Sequence, residues 1–125
     1  MKTFEIAVLA GDGIGAEVMT SAIDVLEAVC PDRFDFTHLP AGAGAYQNQG
    51  SDLPDETLAA CRSADAILLG AMGLPDVRKA DGTELVPQID LRIHLNLFGG
   101  VRLIRKIPNV PTILASPLAD DIDFV

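Results

Sequence analysis

The sequence predicts an α/β fold: a parallel or mixed sheet in three layers, with helices on both faces. Three observations predict it. Short apolar runs alternate with helical periodicities in the order β-α-β-α-β, which puts parallel strands in one sheet and crossover helices on its faces. The first run, Phe4 to Leu9, leads straight into a glycine-rich turn, LAGDGIGAEV (Leu9 to Val18). The third run, Ala66 to Leu69, is apolar without alternation, the pattern of a strand covered on both faces.

The elements follow in order. Phe4 to Leu9 is a strand. Ile14 to Val29 is a helix, since Val18, Ala22, Val25 and Val29, with Met19, Ile23 and Leu26, trace one apolar stripe at 3.6 spacing, and Pro31 ends it. Phe34 to Leu39 is a second strand, and Pro40 to Ser51 is a loop rich in Gly and Ala. Asp52 is placed to cap the next helix, with Pro54 in its first turn and Asp55 and Glu56 favouring its positive end; it runs to about Arg62. After Ala66 to Leu69 comes a long loop, Gly70 to Pro87, of a length that often carries function. A helix from about Ile89 to Phe98 buries Leu91, Leu95 and Phe98, and Gly99-Gly100 breaks it. Val101 to Ile104 and Thr112 to Ala115 read as strands around a Pro108 to Pro111 turn, and Asp121 to Val125 opens an apolar-alternating run without a terminating turn.

Composition limits the function classes. With 125 residues, 49% apolar and 22% charged, the chain can bury one core. A mean hydropathy of +0.31 predicts either a large core or apolar surface that expects a partner. No apolar run approaches the ~18 residues of a membrane helix. The start, with one Lys2 and an apolar stretch broken by Glu5, reads as a strand rather than a signal peptide. A net charge of −9, from 9 basic and 18 acidic side chains, argues against nucleic acid, which needs a basic face. Cys30 and Cys61 are expected as free, buried thiols, and His38 and His94 stand apart without zinc spacing. A reducing, cytoplasmic protein is the expectation.

The glycine turn invites a phosphate reading, because Gly11, Gly13 and Ala16 fit the looser dinucleotide fingerprint G-x-G-x-x-G/A. That reading needs close-approach glycines, a helix N-terminus aimed at the anion, and an acid ending the second strand. The first two are present. The second strand, however, ends in His38-Leu39-Pro40, and Asp12 between the glycines would repel a diphosphate. The other reading is a tight strand-to-helix turn whose glycines serve backbone shape.

IAVLAGDGIGAEV resembles the opening of the isocitrate/isopropylmalate dehydrogenase family, the metal-dependent β-decarboxylating dehydrogenases. LPDETLAACRSADAILLGAMG resembles that family's second helix and third strand, and LRIHLNLFGGVRLIR its LR-x-x-L-x-L-(F/Y)-x-x-x-R block. DIDFV resembles a later strand, and the longer DDIDFV the tartrate/malate branch. The resemblance covers essentially the whole chain. It implies a dehydrogenase-like sheet that is not a Rossmann fold and is incomplete, with residues 1–100 in the first lobe and 101–125 entering the second.

The resemblance also implies roles. Arg92 and Arg102 would bind the carboxylates of a 2-hydroxy acid, for which planar, permanently charged donors are suited. Arg105 and Lys106 extend the basic run and are expected to point to solvent. Ile14, Gly73, Leu74, Pro75 and Asp76 would lie at the nicotinamide end of NAD. Mg²⁺ or Mn²⁺, the catalytic lysine and tyrosine, and the metal-binding aspartates belong to positions beyond Val125, and Tyr46 is expected to be a structural or surface residue. No residue of this chain is therefore expected to be catalytic, and the chain alone is expected to be inactive and to bind no NAD measurably. Val86, where isocitrate-specific relatives carry Ser, argues against isocitrate. Isopropylmalate is favoured, in a leucine-biosynthetic setting, with tartrate or malate close behind. The family implies a homodimer. The competing reading is a non-catalytic module that has kept the first lobe and binds a partner.

Overall fold

The structure, a computed structural model, describes residues 2–116 and 121–125. In chain order the elements are β1 (Phe4–Leu9), α1 (Gly15–Val29), β2 (Phe34–His38), α2 (Ala43–Gln49), α3 (Asp55–Ser63), β3 (Ala66–Leu69), α4 (Pro87–His94), β4 (Ile104–Arg105) and β5 (Asp123–Phe124). The first three strands form a parallel sheet in the order β2-β1-β3. Phe4 to Val8 pair with Phe34 to His38 on one side, and Ile6 to Leu9 pair with Ala66 to Leu69 on the other.

The central strand divides the core by its period of two. Ile6 and Val8 face α1 and pack with Met19, Ile23, Phe34 and Phe36. Ala7 and Leu9 face the other way, where Cys61 of α3 and Leu91 of α4 meet them with Ala41. Helices thus cover both faces, as the alternation predicts. Val8 and Leu9 are fully buried, and each such side chain contributes roughly 1.5–3 kcal/mol by leaving water. The strand covered on both faces is β1. Ala66 to Leu69 is a half-covered edge, with Ala66 and Leu69 exposed.

Several expectations are corrected. The α1 stripe splits in two: Met19 is buried and Ala22, Ile23 and Leu26 half-buried, whereas Val18, Val25 and Val29 are exposed. A stripe as wide as the sequence offers exceeds what one face of a small sheet covers. Part of the Pro40 to Ser51 loop is helix α2. Gly42 takes φ 91° to start it, Ala43 and Ala45 are buried beneath it, and the Gly50 N–H closes it on the Tyr46 carbonyl. Asp52 does not cap α3. It is buried in the preceding loop, where its backbone carbonyl accepts the Gly42 N–H at 2.8 Å, and Pro54 stands at the cap instead.

α4 is shorter than its pattern. Asn96 takes φ 54°, the Asn96 N–H returns to Ile93 O and the Leu97 N–H to Arg92 O, an αL closure three residues before Gly99. Phe98 therefore lies beyond the helix and is fully exposed, while Leu91 and Leu95 pack as expected. Of the predicted Val101 to Ile104 strand only Ile104 is extended and paired. It pairs antiparallel with Phe124 as Arg105 pairs with Asp123, and Thr112 to Ala115 forms no strand. Asp120 of DDIDFV lies outside the described residues. No helix among the described residues is long and apolar enough to cross a membrane. Both cysteines are free, and burial pushes the Cys61 thiol up.

Candidate functional site

The strand order sets where a crevice must form. The chain leaves β1 toward β2 on one side, then crosses back over to β3 on the other. Between the carboxyl ends of β1 and β3 it turns toward opposite faces, and ligands of open α/β sheets bind at such a point. The β1 end is the GDGIG turn and the β3 end is Gly70 to Gly73. The two run against each other: the Gly70 N–H donates to Leu9 O and the Asp12 N–H to Ala71 O, each at 2.8 Å. Gly11, at φ 78°, touches Ala71 so closely that a Cβ would collide with its carbonyl. The glycine is required for backbone apposition, not for a phosphate.

Asp12 occupies the centre of this junction and is buried. Its carboxylate accepts the N–H of Ala43 at 2.8 Å, of Gly44 at 2.9 Å and of Gly73 at 2.9 Å. Burial alone would raise its pKa. The three backbone donors outweigh that and hold the carboxyl below its ordinary value of 3.8. Gly42, just before the α2 start, lies so close that a Cβ there would strike the carboxylate. The place where a dinucleotide fold seats a pyrophosphate is thus filled by the chain's own anion. Sequence reasoning noticed Asp12 only as a repulsive charge. An acid set between two glycines after a strand was the available signal.

Beside the junction lies an open cavity of about 230 Å³. Gly73, Leu74 and Pro75 line it, with Arg78, Glu84 and Gln88. The Gly70 to Pro87 stretch is not structureless. Arg78 and Glu84 bridge antiparallel and their side chains pair at 3.1 Å, around a turn closed by the Lys79 N–H on Thr83 O. Of the five residues proposed for the cofactor, Gly73, Leu74 and Pro75 line this cavity. Ile14 and Asp76 are exposed, next in sequence to Gly13 and Pro75, and do not line it. The glycine turn still reaches Leu74, since a Cβ on Gly13 would sit 3.8 Å from its Cδ2. The Gln88 amide oxygen is buried without a hydrogen-bond partner.

The two arginines stand apart. Arg92 lines a wide groove on the outer side of α4, with Ile89, Ile93, Leu97 and Phe98. Arg102 follows Gly99-Gly100 in an exposed stretch, two residues before β4, and does not line that groove. Arg105 is not a free cation: its Nε pairs with Asp123 Oδ1 at 2.8 Å across the β4–β5 ribbon.

Comparison with known proteins agrees with this architecture. The family model described as isocitrate/isopropylmalate dehydrogenase matches residues 5–125. The chain is 39% identical to a 3-isopropylmalate dehydrogenase of Desulfitobacterium hafniense, over 97% of this chain and 37% of that one. It is 41% identical to a 3-isopropylmalate dehydrogenase of Bacillus subtilis, over 96% of this chain and 35% of that one. Among solved structures, a β-decarboxylating dehydrogenase of Thermococcus kodakarensis superposes with a TM-score of 0.72 at 35% identity, over 83% of this chain and 30% of that one. The TT0538 protein of Thermus thermophilus superposes with a TM-score of 0.73 at 32% identity, over 95% of this chain and 23% of that one. The chain spans about a third of the length of the curated relatives it matches. From its first strand to its last residue, the chain belongs to the isocitrate/isopropylmalate dehydrogenase family.

Proposed function

We propose that the protein containing this chain is an NAD-dependent dehydrogenase that oxidises and decarboxylates a 2-hydroxy acid, 3-isopropylmalate first. The supporting observation is the cavity at the carboxyl ends of β1 and β3, in a chain of this family. Its wall suits a planar ring. Gly73 has nothing within 4 Å of where a Cβ would stand, and Leu74 is an exposed apolar side chain, as is Ile14 outside the lining. These residues, with Pro75 and Asp76 at the edge, would hold the nicotinamide end. When bound, NAD accepts the hydride from C2 of the acid. Arg92 and Arg102 would take the acid's carboxylates, which requires the two to converge around the ligand.

The same reading includes Mg²⁺ or Mn²⁺. Among the described residues no three His, Cys, Asp or Glu side chains gather as a metal site, so none of them is assigned to that ion. A cytoplasmic homodimer acting on a small molecule, away from nucleic acid and membrane, completes the proposal. Tartrate or malate is a second reading favoured by Gln88, whose amide suits a hydroxyl better than an isopropyl group.

Turnover decides between them. The intact protein, given NAD, a divalent metal and each of isopropylmalate, tartrate, malate and isocitrate, should reduce NAD fastest with isopropylmalate. Failure to reduce NAD with any of the four would overturn the proposal. Arg102→Ala should lower kcat/KM at least tenfold, and a change under twofold removes Arg102 from the site.

A further inference from the structure

Asp12 does more than fill a junction. Its carboxylate reaches across to the Gly73–Asp76 stretch and accepts the Gly73 N–H at 2.9 Å. Through Ala43 and Gly44 it is fixed at the start of α2, which is in turn held by Gly42 N–H on Asp52 O and by Thr57 Oγ1 on Pro40 O, both at 2.8 Å. The cavity lining at Gln88 is part of α4, which is seated on the core by Leu91. Met72, just before Gly73, also packs on the core, but Leu74 and Pro75 after it are exposed and are not seated in this way. Gly73 itself sits at φ 110°. The direction in which Leu74 and Pro75 leave the junction therefore depends on where the Gly73 N–H is held.

We propose that Asp12 is a positioning residue for the cofactor: by accepting the Gly73 N–H it sets the Leu74–Pro75 wall against which the nicotinamide end rests. The proposal depends on the functional reading above. Asp12 touches no reacting atom. It works as a fixed internal anion at which two loops and the α2 start converge, so the wall is formed before the cofactor arrives. The negative charge also excludes a second anion from the junction, which leaves the cavity beside it for the nicotinamide end, whose ring is cationic in the oxidised cofactor.

The test uses the intact protein and the variant Asp12→Ala, which removes the Oδ2 that accepts the Gly73 and Ala43 N–H groups together with the Oδ1 that accepts Gly44. Hydrogen exchange at 72–76 should rise at least tenfold in the variant, and KM for NAD at least fivefold, with KM for the hydroxy acid within twofold. Faster exchange with an unchanged KM for NAD would show a merely structural role and overturn the proposal, as would unchanged exchange at 72–76. Should Asp12→Ala fail to fold, Asp12→Glu replaces it with the same two readouts: it keeps the charge but carries the oxygens one methylene too far. Failure of the functional reading is seen separately, as absence of NAD turnover in the wild-type protein.

Discussion

Asp12 accepts three backbone N–H groups within 2.9 Å, and the consequence for stability has a definite sign. Its carboxyl is held below the ordinary value of 3.8 in the folded chain. A group lowered on folding contributes stability that is fully present above its unfolded pKa and is lost as pH falls through the folded one. Unfolding midpoints in urea should therefore hold steady from neutral pH down to about 5, then fall below about 4. Asp12→Asn should lower the neutral-pH stability, by on the order of 1–3 kcal/mol for the Gly44 N–H left without an acceptor when the amide oxygen takes the Oδ2 position, and should flatten the acid limb. Equal slopes in variant and wild type would dissociate Asp12 from the effect. Gln88 offers the opposite balance. Its buried amide oxygen has no partner, and such a group costs about 1–3 kcal/mol. Gln88→Leu should thus raise the thermal midpoint while changing the preference among hydroxy acids toward isopropylmalate. A variant that is more stable with an unchanged substrate ranking would make Gln88 a packing defect and not a specificity residue. Stability withheld at a cavity wall is a familiar mark of a working site.

The sheet and its two helical layers were legible because each rests on a pattern that tertiary packing reinforces. Phe4 to Leu9 is apolar, the α1 repeat follows it, and the pairing with Phe34 to His38 follows from their parallel order. The elements that were missed or misjudged are those whose limits depend on single backbone conformations. α2 starts at a glycine with φ 91° and ends at one with φ 75°, and its short Ala-Gly run carries no periodicity to announce it. α4 stops at Asn96 because an αL residue there closes the last carbonyls, while the sequence points to Gly99. The lining of the cavity was legible in part for the same reason: Gly73, Leu74 and Pro75 are contiguous and arrive together, whereas the placing of Arg92 and Arg102 depends on what lies between them. The stop at Asn96 is itself testable. A residue with φ 54° is tolerated by Asn and Gly but costs a β-branched residue roughly 1–2 kcal/mol. Asn96→Val should lower the stability read from urea unfolding by about that amount, and Asn96→Gly should leave it within about 0.5 kcal/mol. If both substitutions have the same small effect, helix termination at 96 does not shape α4.

The distribution of apolar surface is uneven across the molecule. Around the three-stranded sheet, most large side chains are covered. From Ile89 onward, Ile93, Leu97, Phe98, Val101, Leu103, Ile107, Ile113 and Val125 are exposed, with Phe98 and Ile113 wholly so. On and just before α1, Ile14, Val18, Val25 and Val29 form a second exposed set. Patches of this extent draw partners together in water, while a net charge of −9 on 125 residues opposes close approach of copies. The two terms respond differently to salt: screening shortens the range of the repulsion and leaves apolar attraction intact. Sedimentation of the 125-residue chain, 13.2 kDa as a single copy, should accordingly show association that strengthens from low to moderate salt. Replacing Ile93 and Phe98 together by Ser should weaken it at every salt concentration. A single species of 13.2 kDa throughout would mean that charge outweighs the exposed apolar surface. The high mean hydropathy would then be carried by the α1 residues and those beyond Ile89 without driving association.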